Sequence, residues 1–151
     1  IWLARDGARH ELTYADLAAR AARFASVLVD HGLERGDRVF SMMGRAPDLY
    51  AAALGTLKAG MVFTPLFSAF GPDPARTRMQ IGKAAALVTS PAIFERKIRH
   101  MRGDIPSLEL ILTTGEAAPP GCIALGPAMS RACSASISAG AIWLPIEPLH
   151  Q

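Results

Sequence analysis

The chain has 151 residues, half of them hydrophobic, which is enough for one domain with an apolar core or for part of a larger domain. Its net charge is only +3, because sixteen Lys and Arg residues are balanced by thirteen Asp and Glu residues, and this balance argues against a nucleic-acid-binding protein. The longest uncharged runs are too short and too interrupted to cross a bilayer, so we expect a cytoplasmic protein with no membrane partner.

A first amphipathic helix is predicted after Thr13. Thr13 followed by Asp16 resembles a capping box, in which each side chain accepts a hydrogen bond from the other residue's backbone N–H. Apolar residues then recur at helical spacing as far as Leu28. The pair His31-Gly32 predicts the end of the helix, because glycine readily adopts the left-handed conformation that follows a helix terminus.

Strands and helices alternate from residue 38 to residue 113. Strands are predicted at 38–43, within 60–72, at 84–89 and at 108–113, with helices from Pro47 to about residue 58, at 74–83 and at 92–101. This alternation with short links predicts an α/β fold, with a largely parallel sheet and helices on its faces. Ligands of such folds bind at the carboxyl ends of the strands, so the loops after Met43, Phe67 and Thr89 form the predicted functional edge.

The pattern of apolar residues also predicts which parts are buried. The stretch 60–72 is rich in β-branched and aromatic residues and is typical of a buried strand that runs into a loop. Helical spacing predicts the buried side chains of the second and third helices. They are Tyr50, Ala53, Leu54, Leu57, Met79 and Ile81.

The alternation ends near Gly115. Pro119-Pro120-Gly121 interrupts it, and the run of small residues at 130–140 has neither a helical nor a strand period. We therefore divide the chain into a partial α/β subdomain at 1–115 and an irregular tail at 116–151.

No local motif marks a catalytic group or a metal site. The four histidines are scattered, and Cys122 and Cys133 lack the spacing of a zinc-ligand set. The loop Thr113–Gly121 follows a strand, but it has two glycines and no lysine, so we expect a surface turn and not a phosphate-binding loop.

A basic cluster offers one candidate site. It consists of Arg96, Lys97, Arg99, His100 and Arg102. Such a run is usually the solvated face of an amphipathic helix, but several cations within two helical turns can also hold a phosphate group, and the residues alone leave both readings open. Phe67 and Phe70 are likewise either core residues or surfaces on which a ligand can stack.

Several motifs in this order resemble the N-terminal part of the adenylate-forming, AMP-binding superfamily. They are Thr13-Tyr14-Ala15-Asp16-Leu17, Gly32-Leu33-Glu34-Arg35-Gly36-Asp37-Arg38-Val39, Leu57-Lys58-Ala59-Gly60 and Thr64-Pro65-Leu66. The loop Phe67–Asp73 and the strand Ala86–Thr89 are most similar to the acetyl-CoA synthetase branch. The likeness is lost after about residue 132.

This resemblance implies a fold and an activity. The fold is an incomplete N-terminal portion of the large domain of an adenylate-forming enzyme. Acyl-CoA synthetases of this superfamily activate a small-molecule carboxylate with ATP and Mg and transfer the acyl group to coenzyme A. The glycine-rich ATP loop and the catalytic lysine of the family have no counterpart in these residues. We therefore expect the chain alone to be inactive and name no catalytic residue and no metal ligand.

The resemblance also points to binding residues. In acetyl-CoA synthetases a phenylalanine-containing loop and an arginine pair help to hold the nucleotide end of coenzyme A. Matched residue by residue, these correspond to Phe67, Ser68 and Ala69 and to Arg96 and Arg99. The family has two glycines where this chain has Ser68 and Ala69, and glycine allows a closer approach of the backbone to a ligand.

Two other functions remain open. The chain could be a non-catalytic remnant that binds coenzyme A or another nucleotide phosphate, or a small α/β interaction domain. If later strands complete the sheet in a longer parent protein, this chain exposes an unpaired edge, and we expect self-association there.

Overall fold

The computed structural model of the chain describes residues 2–3 and 9–132. In this part of the chain the strands are Trp2–Leu3 (β1), Arg9–His10 (β2), Arg38–Met42 (β3), Val62–Leu66 (β4), Ala86–Thr89 (β5), Leu110–Thr113 (β6) and Ile123–Ala124 (β7). The α-helices are Tyr14–Asp30 (α1), Pro47–Lys58 (α2), Pro72–Ile81 (α3), Pro91–Ile93 (α4) and Leu125–Arg131 (α5). After α4 the chain continues as a π-helical turn, Phe94–Ile98, and a 3₁₀ helix, Arg99–Asp104.

The sheet topology confirms the predicted fold class. Five strands pair in the order β4-β3-β5-β6-β7, and every neighbouring pair is parallel. The short strands β1 and β2 form a separate antiparallel pair. Because consecutive parallel strands need a crossover, a helix links β3 to β4, β4 to β5 and β5 to β6.

Helices cover both faces of this sheet. Phe24 of α1, Ala52 of α2 and Leu125 of α5 belong to one buried cluster, which includes Val39 of β3. The next residue of β3, Phe40, points to the other face and packs in a second cluster with residues of α3, α4 and the π-helical turn. The alternation of side chains along a strand thus divides the core into two layers. Within the described residues, every helix is too short or too polar to be a candidate membrane span.

Helix α1 begins as predicted. The Thr13 hydroxyl accepts a hydrogen bond from the Asp16 backbone N–H at 3.0 Å, and the Thr13 N–H donates to the Asp16 carboxylate at 3.0 Å. The helix ends at Asp30, and Gly32 follows with φ of 84°. The capping box and the glycine stop are therefore confirmed.

The predicted buried face of α2 is wrong. Tyr50, Leu54 and Leu57 are 50%, 44% and 61% exposed. The buried residues are the small ones, Ala51, Ala52, Gly55 and Thr56. Small side chains allow α2 to lie close against α1, and this close contact, not side-chain hydrophobicity, determines which face is inside.

Strand β4 is an edge strand and not the fully buried strand predicted for 60–72. Val62 is 48% exposed, Phe63 is partly buried against the first core cluster, and Pro65 is exposed. The Val62 N–H donates to the Asp37 carbonyl on the β3 side. Backbone groups alternate along a parallel strand, so Phe63 and Pro65 direct theirs to the free edge, where proline has no N–H to offer.

Two further segments differ from expectation. In α3, Met79 is fully buried as predicted, but Ile81 at the helix end is 79% exposed. Residues 116–132 were expected to be irregular, yet they contain β7, which extends the sheet, and α5, which packs on the first core cluster. The prolines before β7 indicated a loop, and a strand of two residues is too short to show alternating apolar and polar side chains. Residues 133–151 of the predicted tail lie outside the described residues.

Candidate functional site

The carboxyl ends of β3, β4, β5 and β6 lie at one edge of the sheet, because all these strands are parallel. The loops that leave this edge begin after Met42, Leu66, Thr89 and Thr113. They include the predicted phenylalanine loop after β4 and, through α4, the segment with the basic cluster. This edge is where an α/β sheet places its ligands.

The loop after β4 is a tight turn from Phe67 to Phe70. The Phe70 N–H donates to the Phe67 carbonyl at 3.0 Å, which leaves Ser68 and Ala69 as the central residues. Among the described residues, Lys83 is the one non-glycine residue with a positive φ, so neither central residue needs the conformational freedom of glycine. The replacement of the family's two glycines therefore does not strain this turn.

The two aromatic rings of this turn differ in solvent exposure. Phe67 is 66% exposed, whereas Phe70 is partly buried against the second core cluster. Their ring centroids are 5.8 Å apart at an interplanar angle of 87°, an edge-to-face contact. Phe67 thus has ring surface available for stacking, and Phe70 supports it from the core side.

The basic cluster lies on the helical segment after β5, and its members have different partners. The Lys97 ammonium donates to the carbonyls of Ser68 and Phe70 at 2.8 and 2.7 Å. Arg99 forms an ion pair with Glu95 at 2.7 Å, and Arg102 donates to the Gly121 carbonyl at 2.9 Å. The solvated-face reading therefore holds for part of the cluster, while Lys97 and Arg102 bind other loops.

Arg96 and Arg99, the predicted anion-binding pair, are both exposed. They flank Lys97, whose contacts hold the Phe67–Phe70 turn beside the helical segment that carries them. The structure thus joins the two parts of the predicted coenzyme A site through a residue that the resemblance did not indicate. The assignment of Phe67, Ser68, Ala69, Arg96 and Arg99 to ligand binding stays a prediction.

Arg78 is a cation that neither the basic cluster nor the family resemblance indicated. Its guanidinium carbon lies 4.4 Å from the centroid of the Phe70 ring and an N–H donates to the Pro74 carbonyl at 3.0 Å. An open groove of about 600 Å³ lies beside it, between the end of α3 and the edge strand β4, with Phe67 also on its wall. This cation–π contact spans only eight residues, but it joins a turn to the following helix, and neither residue type alone predicts it.

A smaller cavity of about 230 Å³ lies at the carboxyl edge between α1, α2 and the loop after β6. Its lining mixes two arginines, Arg20 and Arg23, with two carboxylates, Asp48 and Glu116, and Arg20 pairs with Asp48 at 3.5 Å. Because the charges balance, this cavity does not favour an anion.

Cys122 follows the loop that Arg102 holds. Burial raises the pKa of its thiol, an effect that Arg102 partly offsets and Glu95 adds to. A raised pKa disfavours the thiolate, which is the nucleophilic form of cysteine.

The described residues contain no metal-ligand group, and the loop after β6 has two glycines and no lysine. Within residues 2–3 and 9–132, no group of three or more His, Cys, Asp or Glu side chains could hold a metal ion. Gly121 of the Thr113–Gly121 loop has its carbonyl turned to Arg102, and Gly115 accepts from the Gly126 N–H at 3.1 Å. The carbonyls of both glycines in this loop therefore accept hydrogen bonds from other parts of the chain.

Comparison with known proteins identifies the family. The profile that describes AMP-binding enzymes matches residues 2–125, most of the chain. The chain belongs to the AMP-binding enzyme family. It is 36% identical over 104 residues to the acetyl-coenzyme A synthetase of Bacillus subtilis (strain 168), an alignment that covers 65% of this chain and 18% of that enzyme. The predicted resemblance is therefore confirmed.

A second relative widens the range of substrates among the family members that this chain resembles. The chain is 29% identical over 120 residues to the 3-hydroxypropionyl-coenzyme A synthetase of Metallosphaera sedula. This alignment covers 79% of this chain and 18% of that enzyme. The relatives thus share coenzyme A synthetase activity by name but differ in the acyl group.

The AMP-binding fold is also seen in a solved structure. An acyl-CoA synthetase from Brucella canis superposes with a TM-score of 0.76 and 31% identity, over 87% of this chain and 24% of that one. The sheet and its helices therefore correspond to a part of the adenylate-forming fold. The chain spans less than a quarter of the length of each of these relatives.

Proposed function

We propose that this chain is the N-terminal part of an AMP-forming acyl-CoA synthetase and forms the corner of the enzyme that receives the nucleotide end of coenzyme A. The parent protein activates a small carboxylate with ATP and transfers the acyl group to coenzyme A in the cytoplasm. When bound, Mg²⁺ supplies charge neutralisation for the phosphates of ATP. The family membership and the short alignment with each relative support this proposal.

One observation carries the coenzyme A assignment. The exposed Phe67 ring belongs to a turn that Lys97 holds against the segment with Arg96 and Arg99. Exposed aromatic and guanidinium groups on two linked segments suit a nucleotide, whose base stacks and whose phosphates accept charge-assisted hydrogen bonds. This chain's residues would bind and orient the nucleotide, while the thiol end of coenzyme A reaches residues elsewhere in the parent.

We expect no adenylation by the chain alone. The glycine-rich ATP loop and the catalytic lysine of the family have no counterpart in these residues, and such groups stabilise the charge that develops on the transferring phosphate.

Carboxylate-dependent exchange of pyrophosphate into ATP tests this expectation. Assays of the purified 151-residue chain with acetate, propionate and 3-hydroxypropionate should give the same rate as buffer, with a full-length acetyl-CoA synthetase as the positive control. Exchange above the buffer rate that depends on the carboxylate would contradict the expectation that the chain alone catalyses no adenylation.

A second candidate function is a binding remnant that retains the coenzyme A corner without turnover. The exposed Phe67 ring and the ordered turn favour it over a pure interaction domain. Calorimetric titration with coenzyme A should show weak binding. The affinity should fall about tenfold or more in the double variant Arg96→Ala/Arg99→Ala, because a charged hydrogen bond to phosphate contributes about 1.5–3 kcal/mol and about 1.4 kcal/mol corresponds to a factor of ten.

The matched control is Arg23→Ala/Arg35→Ala, which removes two exposed arginines from α1 and the β3 approach. It should bind coenzyme A as the wild type does. Equal affinities for the two double variants would remove Arg96 and Arg99 from the site, and no binding by the wild type would leave the interaction domain as the better reading.

A further inference from the structure

Lys97 links two segments that are far apart in the sequence. Its ammonium donates to the carbonyls of Ser68 and Phe70, which precede it by 29 and 27 residues. Lys97 is partly buried, unlike Arg96 and Arg99 on either side. Lysine has three donors, and these two contacts use two of them.

The helical geometry around Lys97 explains why this cation differs from its neighbours. The π-helical turn Phe94–Ile98 buries Phe94 and Ile98 in the second core cluster. These two apolar anchors fix the side of the segment that faces the sheet, and Lys97, next to Ile98, extends towards the β4 loop. Such π-helical turns are rare and occur frequently at functional sites.

The contacts of Lys97 matter for any anion near the turn. The Ser68 and Phe70 carbonyls carry partial negative charge, which repels phosphate if they point to the ligand. Lys97 binds both carbonyls with charge-assisted hydrogen bonds, which are stronger than neutral ones. The ammonium therefore fixes the direction of these carbonyls and offsets their charge at the same time.

We propose that Lys97 is a positioning residue for the coenzyme A site, which holds the Phe67–Phe70 turn in the conformation that presents the Phe67 ring and the turn backbone to the nucleotide. Lys97 acts through the turn and does not itself bind a phosphate. The inference rests on the proposed coenzyme A corner, and it separates Lys97, which shapes the site, from Arg96 and Arg99, the predicted ligand-binding pair.

The first test concerns the turn without any ligand. Amide hydrogen exchange of Phe70, whose N–H donates to the Phe67 carbonyl, should be at least about tenfold faster in Lys97→Met, because two charged hydrogen bonds to the turn are lost and the loss of one alone corresponds to about tenfold. Lys97→Arg should restore slow exchange, because its guanidinium can donate to two acceptors. Lys58→Met, the same change at an exposed position on α2, should behave as wild type.

Global unfolding in urea separates this local effect from a loss of fold. If Lys97→Met is too unstable to compare, Lys97→Gln, which keeps one donor group, takes its place and should show an intermediate exchange rate. Unchanged Phe70 exchange in folded Lys97→Met or Lys97→Gln overturns the positioning role, whatever the ligand does.

The second test compares coenzyme A with dephospho-coenzyme A, which lacks the phosphate on the ribose. Lys97→Met should weaken binding of both by the same factor, about tenfold, because it acts through the turn. A direct contact of Lys97 with the ribose phosphate would weaken coenzyme A much more than its dephospho form, and that outcome overturns the positioning role. If the wild-type chain binds neither compound, the proposed coenzyme A corner is wrong, although the exchange experiment still decides what Lys97 does to the turn.

Discussion

Gly55 lies in the contact between α1 and α2. A Cβ atom at this position would lie 2.6 Å from the carbonyl oxygen of Ala21 and 2.8 Å from Cδ1 of Phe24. The carbonyl belongs to the backbone of α1 and cannot rotate away, and Phe24 is fully buried. The absence of a side chain at Gly55 is therefore what lets the two helices approach, although glycine is a poor helix former.

Gly55→Ala should destabilise the protein by up to about 2 kcal/mol, since overpacking costs about 1–3 kcal/mol and the better helix propensity of alanine offsets about 1 kcal/mol of this. Urea unfolding followed by circular dichroism measures the difference. Gly103→Ala is the control, because nothing lies within 4 Å of its Cβ position and its φ is not positive. That variant should be neutral or slightly stabilised, and a stabilised Gly55→Ala would refute the close contact.

At the scale of elements, the capping box explains how α1 begins. The hydroxyl and the N–H of Thr13 both donate to the Asp16 carboxylate, and these bonds, with a smaller contribution from Arg20, lower the pKa of Asp16. A group whose pKa is lower in the folded state stabilises the fold above its unfolded pKa. This stabilisation is lost as the pH falls through the lowered pKa of the folded state.

Asp16→Asn should therefore reduce stability at neutral pH, and the difference from wild type should shrink as the pH falls below the ordinary aspartate pKa of 3.8 and the carboxylate becomes protonated. Urea midpoints of both proteins across the acidic range measure this. Glu109→Gln, a change at another exposed carboxylate, should not reproduce the effect. A difference between wild type and Asp16→Asn that stays constant with pH would show that the carboxylate charge does not support the cap.

Helix α2 shows how an element can be predicted while its orientation is not. The sequence predicted its start at Pro47 and its end before Gly60, because both are local signals. It assigned the large apolar residues to the core, whereas the structure buries Ala51, Ala52 and Gly55. The distance to a neighbouring helix selects the face, and no local pattern contains that distance.

At the scale of the whole molecule, two features of the β4 side have opposite effects on association. Pro65 offers no N–H at the free edge, which hinders pairing with another strand. Beside this edge, α2 exposes Tyr50, Leu54 and Leu57 at helical spacing, and Val62 of β4 is also half exposed. We therefore expect self-association through the apolar face of α2 and not through the strand edge predicted from sequence.

Leu54→Lys/Leu57→Lys should shift the chain towards monomer in sedimentation velocity measured over a range of concentrations, because buried charges oppose the contact. Ile81→Lys is the control, since Ile81 is 79% exposed at the end of α3, which packs on the other face of the sheet. A wild-type chain that stays monomeric at its highest soluble concentration would argue against an association surface on α2.

The candidate site was predicted in part. Phe67, Ser68 and Ala69 and the arginine pair followed from the family resemblance, and their place at the carboxyl edge followed from the alternation of strands and helices. Lys97 and Arg78 were not singled out, because their partners are carbonyls and a ring that only the folded chain brings near.

The sequence by itself determined the parallel α/β class, the limits of α1 and α2 and the family, because these depend on periodicity, caps and motifs that lie within short windows. Only the tertiary structure decided that β4 is an edge, that α2 buries its small residues, and that Lys97 holds the Phe67–Phe70 turn. Each of these depends on the distance between segments that are remote in sequence. Such distances are set by how the layers pack, and no local pattern of residues encodes them.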